Sequence, residues 1–232
     1  RGLQTDRPGL ALGWTLEADL DASRQKWDAA ATGYRKALDK ASSDGVLLKY
    51  LHVLQAGGHA DEARSFAAAW LKKHPDDLLL RFYLGDLAQR GGDLKLARQH
   101  YEDLLKRNAD NVLALNNLAT VLLAQHEPGA LALAQRAAQL APRQPAVLDT
   151  LAQANAQEGK LADAISAQQR AVSLAPDEHD FRLSLSHLLI RNGDKPGAKR
   201  ELQRLAHLGT NYKRSQEVTR LLHELAPAIS SR

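Results

Sequence analysis

The stretch LNNLATVLLAQHEPGALALAQRA, residues 115–137, sets Asn116 and Asn117 side by side in an apolar run with helical spacing, then breaks the run at Pro128-Gly129. Asparagine is a poor residue inside a helix because its amide competes for backbone hydrogen bonds. Something other than helix propensity must hold the pair there. The break is equally informative, because similar breaks recur along the chain. GHADEA (58–63), GDLKLA (92–97), GKLADA (159–164) and GDKPGA (193–198) each begin with a glycine and end with an alanine. Their glycines Gly58, Gly92, Gly159 and Gly193 are 34, 67 and 34 residues apart, so the middle gap holds two units. The missing turn is HEPGA, with Ala130 lying 33 residues after Ala97, which reads as a loop shortened by one residue.

Other landmarks keep the same register. Tyr34 and Tyr101 stand four residues after the turn alanine, Ala37, Ala137 and Ala171 three residues further on, and Pro75, Pro142 and Pro176 near the close of a unit. A period of this length, small residues at the seams and a closing proline form the tetratricopeptide (TPR) pattern of paired antiparallel helices. The expected fold is all-α, a right-handed TPR superhelical solenoid of about six helix-turn-helix repeats with a C-terminal capping helix. The units are placed at 11–43, 44–77, 78–110, 111–144, 145–178 and 179–212. Residues 1–10 read as the end of a preceding segment or linker, and 213–232 as the capping helix and tail. The first unit is the least regular, with Gln25 at the place of the turn glycine. Trp70 stands where alanine is usual, so its ring is expected to displace the second helix or to cover a neighbouring seam.

Composition fits this architecture. Aromatic residues are only 5% of the 232 positions, and Gly and Pro recur at intervals. With no cysteine, the chain has neither a disulfide framework nor a thiolate metal site. The complete lack of methionine points to a mature or excised piece of a longer protein. No run is long and apolar enough to span a bilayer. The net charge of +4 is a mild excess over 31 basic and 27 acidic residues, and its basic clusters lack interleaved aromatics. That is a solvated surface rather than a nucleic-acid footprint.

The residues of chemical interest follow from the register. PDEHD (176–180) gathers acids around His179, but it falls on a turn between units, where an Asp after Pro is expected to cap the next helix. HEPGA and HELAP lack the second histidine of a zinc-protease helix, and no phosphate loop or nucleophile elbow is present. No catalytic, cofactor or metal residue is assigned. On the first helix of each unit, the positions expected to face the concave surface are Leu48, Phe82, Asn116, Asp149 and Leu183, and one turn on His52, Asp86, Thr120, Gln153 and His187. With Asn117 at the edge and Leu79, Leu113 and Leu123 beside them, they have two readings. They complete contacts between units, or they form a groove for a protein partner with apolar anchors and side-chain amides. The second reading centres the groove on Phe82, Asp86, Asn116 and Asn117.

Several motifs resemble a narrower family. WL followed by HPDD (70–77), LNNLA (115–119), the turn HEPGALALAQRA (126–137), PAVLDTLA (145–152) and AKRELQRL (198–205) are similar to the C-terminal repeats of TPR-repeat lipoproteins of the PEP-CTERM/exosortase systems, PrsT type, found with exopolysaccharide loci. The likeness covers roughly 66–226. It implies a non-catalytic scaffold working with exopolysaccharide export machinery, in the periplasm or associated with the outer membrane, although the lipidated cysteine of such proteins is not in this chain. A cytoplasmic adaptor, or the recruiting arm of an enzyme whose catalytic domain lies elsewhere, are the alternative readings.

Overall fold

A computed structural model of the chain describes residues 10–41 and 43–226. Most of the expected N-terminal linker and the tail from position 227 lie outside these residues. All regular structure among the described residues is helical, in thirteen α-helices and one 3-10 turn. Two compact units divide between Leu87 and Ala88.

The first unit contains α1 (Ala11–Ser23), α2 (Trp27–Lys40), α3 (Asp44–Ala56) and α4 (Ala60–Lys73), and the division falls within α5 (Leu78–Arg90). Its core joins Tyr34 and Leu38 of α2 to Leu47, Tyr50, Leu51 and Leu54 of α3, Ala63 and Ala67 of α4, and Leu80. Helices α1 and α2 approach closely because the seam is built from small residues: a Cβ on Gly33 would lie 2.8 Å from that of Ala18. Trp70 packs on this core, stacks on His74 with ring centroids 4.5 Å apart and donates its Nε1 hydrogen to Asp77 Oδ2 at 2.9 Å. Its ring covers the edge of the core, and its polar end ties α4 to the turn before α5.

The second unit continues with α6 (Leu94–Arg107), α7 (Val112–Ala124), α8 (Ala130–Leu140), α9 (Pro145–Gln157), α10 (Leu161–Leu174), α11 (His179–Arg191), α12 (Lys195–Ala206) and α13 (Ser215–Glu224). Alanines make its seams as well: Ala97, Ala134, Ala137, Ala164, Ala171 and Ala198 have no exposed surface. The amphipathic α13 inserts Val218 and Leu221 among Leu183, Leu202, Leu205 and Tyr212. Leu183, placed by its register on the concave surface, is therefore fully buried, because α13 and α12 cover it.

Every turn within a helix pair ends its first helix alike. A residue of positive φ follows the helix, at Gln25, Gly58, Gly92, His126, Gly159 and Gly193, and the next backbone N–H reaches back to a carbonyl five residues earlier. The recurrent spacing of 33 or 34 residues thus marks one backbone event. Gln25 and His126 adopt it without glycine, at φ 58° and 55°.

The turn at 125–129 corrects the sequence reading. His126 keeps the 34-residue spacing from Gly92, and Glu127 N–H bonds Leu122 C=O at 2.9 Å as in the other turns. The lost residue falls after this point, at the beginning of the second helix. Pro128 lacks an N–H and Gly129 sits at φ 98°, so α8 starts only at Ala130 and has 11 residues where α6 and α10 have 14. The loop is longer and the helix shorter. The expected cap at PDEHD is also corrected. Glu178 occupies the N-cap of α11 with no side-chain bond, whereas Asp180 accepts the Tyr212 hydroxyl at 2.7 Å.

Candidate partner-binding cleft

In the second unit, the first helices of three successive pairs, α7, α9 and α11, line a cleft of about 580 Å³. Their spacing brings Thr120, Gln153 and His187, one from each helix, into the same lining. The walls between them are apolar: Leu123 and Ala124 of α7, Ala156 of α9 and Leu188 of α11. Helix α7 spends the Thr120 hydroxyl on its own backbone, bonding Asn116 C=O at 3.0 Å. His187 Nε2 lies 3.0 Å from Glu217 Oε1 of α13, and Glu217 is held below the usual carboxylate range, first by its bond from Arg214. Arg191, exposed at the rim, gives one guanidinium hydrogen to Ala156 C=O at 3.0 Å and pairs with no carboxylate among the described residues.

The floor is polar and buried. Gln168 of α10 has no exposed surface; its Nε2 donates to Asp149 Oδ1 at 2.7 Å and to Phe181 C=O at 3.1 Å. Both partners are acceptors, so the amide orientation is fixed and Oε1 is left without a donor from the protein. Asp149 also accepts from Gln153 Nε2 at 2.6 Å. Burial pushes the Asp149 carboxyl above its ordinary range, and the two amide bonds oppose that rise.

The other predicted residues of this unit have separate settings. Leu113 is exposed, at 48% of its surface. Asn116 and Asn117 are half-buried and belong to a hydrogen-bond relay: Asn116 Nδ2 donates to Asn117 Oδ1 at 3.3 Å, Asn117 Nδ2 to the Tyr101 oxygen at 3.1 Å, and the Tyr101 hydroxyl to Gln89 Oε1 at 3.0 Å. Asn117 therefore fastens α7 to α6. Asn116 Oδ1 is buried and receives no donor from the protein. In the first unit, Leu79 is exposed and Phe82 and Asp86 are half-buried.

Sequence reasoning missed Gln168, Arg191, Ser184 and His126, all of which line the cleft. For Gln168 a signal existed. It stands four residues after Ala164, at the position that holds Tyr34 and Tyr101, and an amide at a core landmark marks a polar site under the surface.

A profile of the tetratricopeptide repeat matches residues 155–221, which span the end of α9 to α13. Together with the helix pairs and their recurring turns, this defines the fold: a tetratricopeptide-repeat solenoid. No catalytic family is indicated. Among relatives, the TPR repeat-containing protein PA4667 of Pseudomonas aeruginosa is 32% identical over 151 residues, 60% of this chain. The chain spans about a quarter of that relative's length, 25%. The solved pilF protein of Pseudomonas aeruginosa superposes with a TM-score of 0.70 at 17% identity, over 90% of this chain and 96% of pilF. MamA from Desulfovibrio magneticus RS-1 gives 0.64 at 22% identity, over 74% and 98%. At these identities the solved structures speak for the fold alone.

Proposed function

We propose that this chain is a non-catalytic protein-interaction scaffold that holds a partner in the cleft of its second unit and serves the assembly or secretion of bacterial exopolysaccharide in the cell envelope. The observation that carries the scaffold reading is the cleft itself. Apolar walls and convergent polar groups from three successive first helices line one open space there. The envelope setting rests on the resemblance of the HPDD, LNNLA and HEPGALALAQRA motifs to exosortase-system lipoproteins. No helix among the described residues is long and apolar enough to cross a membrane, so attachment by this segment would run through a partner or an anchor elsewhere.

The test is affinity capture from envelope extract of the bacterium that carries the protein, with the parent chain, a Gln153→Arg variant in the cleft and a Lys160→Ala variant on an exposed turn as baits. Capture of polysaccharide-export components by the parent and the turn variant, with loss in the cleft variant, is the expected outcome. Equal capture by all three would move the binding surface out of the cleft. Capture of only cytoplasmic proteins would favour an adaptor role instead.

A further inference from the structure

We propose that the face of the second unit formed by its second helices α8, α10 and α12 binds a strand of acidic polysaccharide. This goes beyond the cleft reading, since it concerns another surface and its ligand is a glycan polymer rather than a protein. The observation is a surface step that recurs once per helix pair. Gln135-Arg136 on α8, Gln169-Arg170 on α10 and Gln203-Arg204 on α12 stand 34 residues apart, and all six residues are exposed. The residue after each arginine, Ala137, Ala171 or Leu205, is buried in a seam or core, so one helical periodicity hides these and turns the Gln-Arg steps to solvent. Neighbouring steps are tied together. Arg170 gives a guanidinium hydrogen to Pro142 C=O, in the loop after α8, at 2.9 Å, and Ile165 and Val172 of α10 pack on the cluster that holds Ala198 of α12.

The charge on this face is one-sided. Arg170, Lys195, Lys199 and Arg200 are exposed and pair with no carboxylate among the described residues. Arg136 is matched by Asp110 at 2.7 Å, and Arg204 by Glu201, which Arg182 also engages. Among the described residues of the three helices, Asp163 is the only exposed acid. A surface of this sign attracts a polyanion. The company of each arginine selects which one. Its guanidinium fork matches a carboxylate, while the adjacent Gln amide both donates and accepts and so suits a hydroxyl or ring oxygen. A strand that carries carboxylates among hydroxyls answers both. No aromatic side chain lies on the three helices, so a nucleic-acid base has nothing to stack on. Leu140 and Leu174, a turn beyond Arg136 and Arg170, are each 38% exposed, which gives contact to the C–H face of a sugar ring but not the buried anchor by which a protein segment is held.

The experiment is surface plasmon resonance of the whole chain on immobilised polygalacturonate, a glycan with a carboxylate and free hydroxyls on every residue. Dextran, polyglutamate and phosphatidylglycerol vesicles are the comparison ligands. Binding to polygalacturonate is expected to weaken with added salt, to exceed binding to polyglutamate and vesicles, and to have no counterpart on dextran. The double variant Arg170→Glu/Lys199→Glu changes two cations without carboxylate partners, and circular dichroism melting checks that it folds; its affinity should fall about tenfold or more. Lys72→Glu/Lys73→Glu, at exposed positions of α4 in the first unit, shifts the net charge equally and should change affinity by less than about twofold. Gln169→Ala should weaken binding to polygalacturonate and leave polyglutamate unaffected, a difference that charge alone does not produce. Absence of binding, an equal loss in the first-unit variant, or tighter binding of polyglutamate or of vesicles would overturn the proposal, the last two assigning the face to an acidic protein or a membrane. The cleft reading stands or falls separately, on capture of protein partners.

Discussion

Individual residues of this chain are decided by a few competing costs. Gln25 and His126 adopt left-handed backbone that four other turns assign to glycine. An L-residue there costs about 1–2 kcal/mol, while glycine returns roughly half of that gain as unfolded-chain entropy. Gln25→Gly should therefore raise stability by about 0.5–1 kcal/mol, read as a higher denaturant midpoint at unchanged slope; a lower midpoint would show that Gln25 contributes packing that outweighs its backbone cost. Asp149 makes the opposite kind of case. Its carboxyl is pushed up by burial, so the folded state holds a proton more readily than the unfolded chain. At neutral pH the ionised group is a cost; as pH falls through the raised value toward the ordinary carboxylate range, protonation relieves it. The variant Asp149→Asn, whose Gln153 partner can turn to match it, is expected to melt at or above the parent temperature at pH 7 and to lose that advantage on acidification. A constant difference across this range would mean the group is not the origin of the effect.

At the scale of helices, alanine at the seams matters more than any polar contact. Ala97 and Ala164 have no exposed surface, and a larger side chain at either must push two helices apart. Ala97→Leu and Ala164→Leu should each cost about 1–3 kcal/mol or more. Exposed Gln135 should accept alanine with a change within about 0.5 kcal/mol. Chemical denaturation of the three variants checks this, and equal losses would contradict the seam assignment. The first helix pairs also gain from polar ties that reach across: Tyr34 to Asp19 at 2.6 Å, and in the second unit Arg182 to Glu201 at 2.5 Å, both side chains 15% exposed. Shortening α8 by a turn is the one large departure. The residue is lost after His126, which keeps the place of the left-handed residue of the other turns and lines the cleft from there.

For the molecule as a whole, the second unit ends on α13. Val218 and Leu221, at 1% and 6% exposure, close the core formed by Leu183, Leu202 and Leu205. Burying such side chains contributes about 1.5–3 kcal/mol each, and a repeat array without a polar-faced end tends to associate. Deleting residues 213–232 should lower the melting temperature and promote aggregation; unchanged melting and solubility would show that the array closes itself without α13. The Tyr212 hydroxyl bond holds Asp180 below the usual carboxylate range, ahead of the contribution of Lys213. That stability is present at neutral pH and is lost as pH falls through the depressed value, so loosening at the C-terminal end belongs to acid rather than to mildly acidic conditions.

Period, seam alanines and turn residues made the helix pairs legible in the sequence, because each is a local requirement: a backbone reversal needs its left-handed residue, and close helices need small side chains wherever they cross. The same register put Thr120, Gln153 and His187 on one surface. What it could not supply was the state of side chains whose partners are distant along the chain. Asn117 bonds Tyr101, Gln168 bonds Asp149, and Leu183 lies under α13. Asparagine in a helix reads the same whether it faces a groove or a neighbouring phenol, and a leucine on an inner face reads as exposed until a later helix covers it. Sequence alone determined the repeat and the positions available for binding. Tertiary structure decided which of those positions are open, because hydrogen-bond partners and buried surface are settled only when successive helix pairs stack.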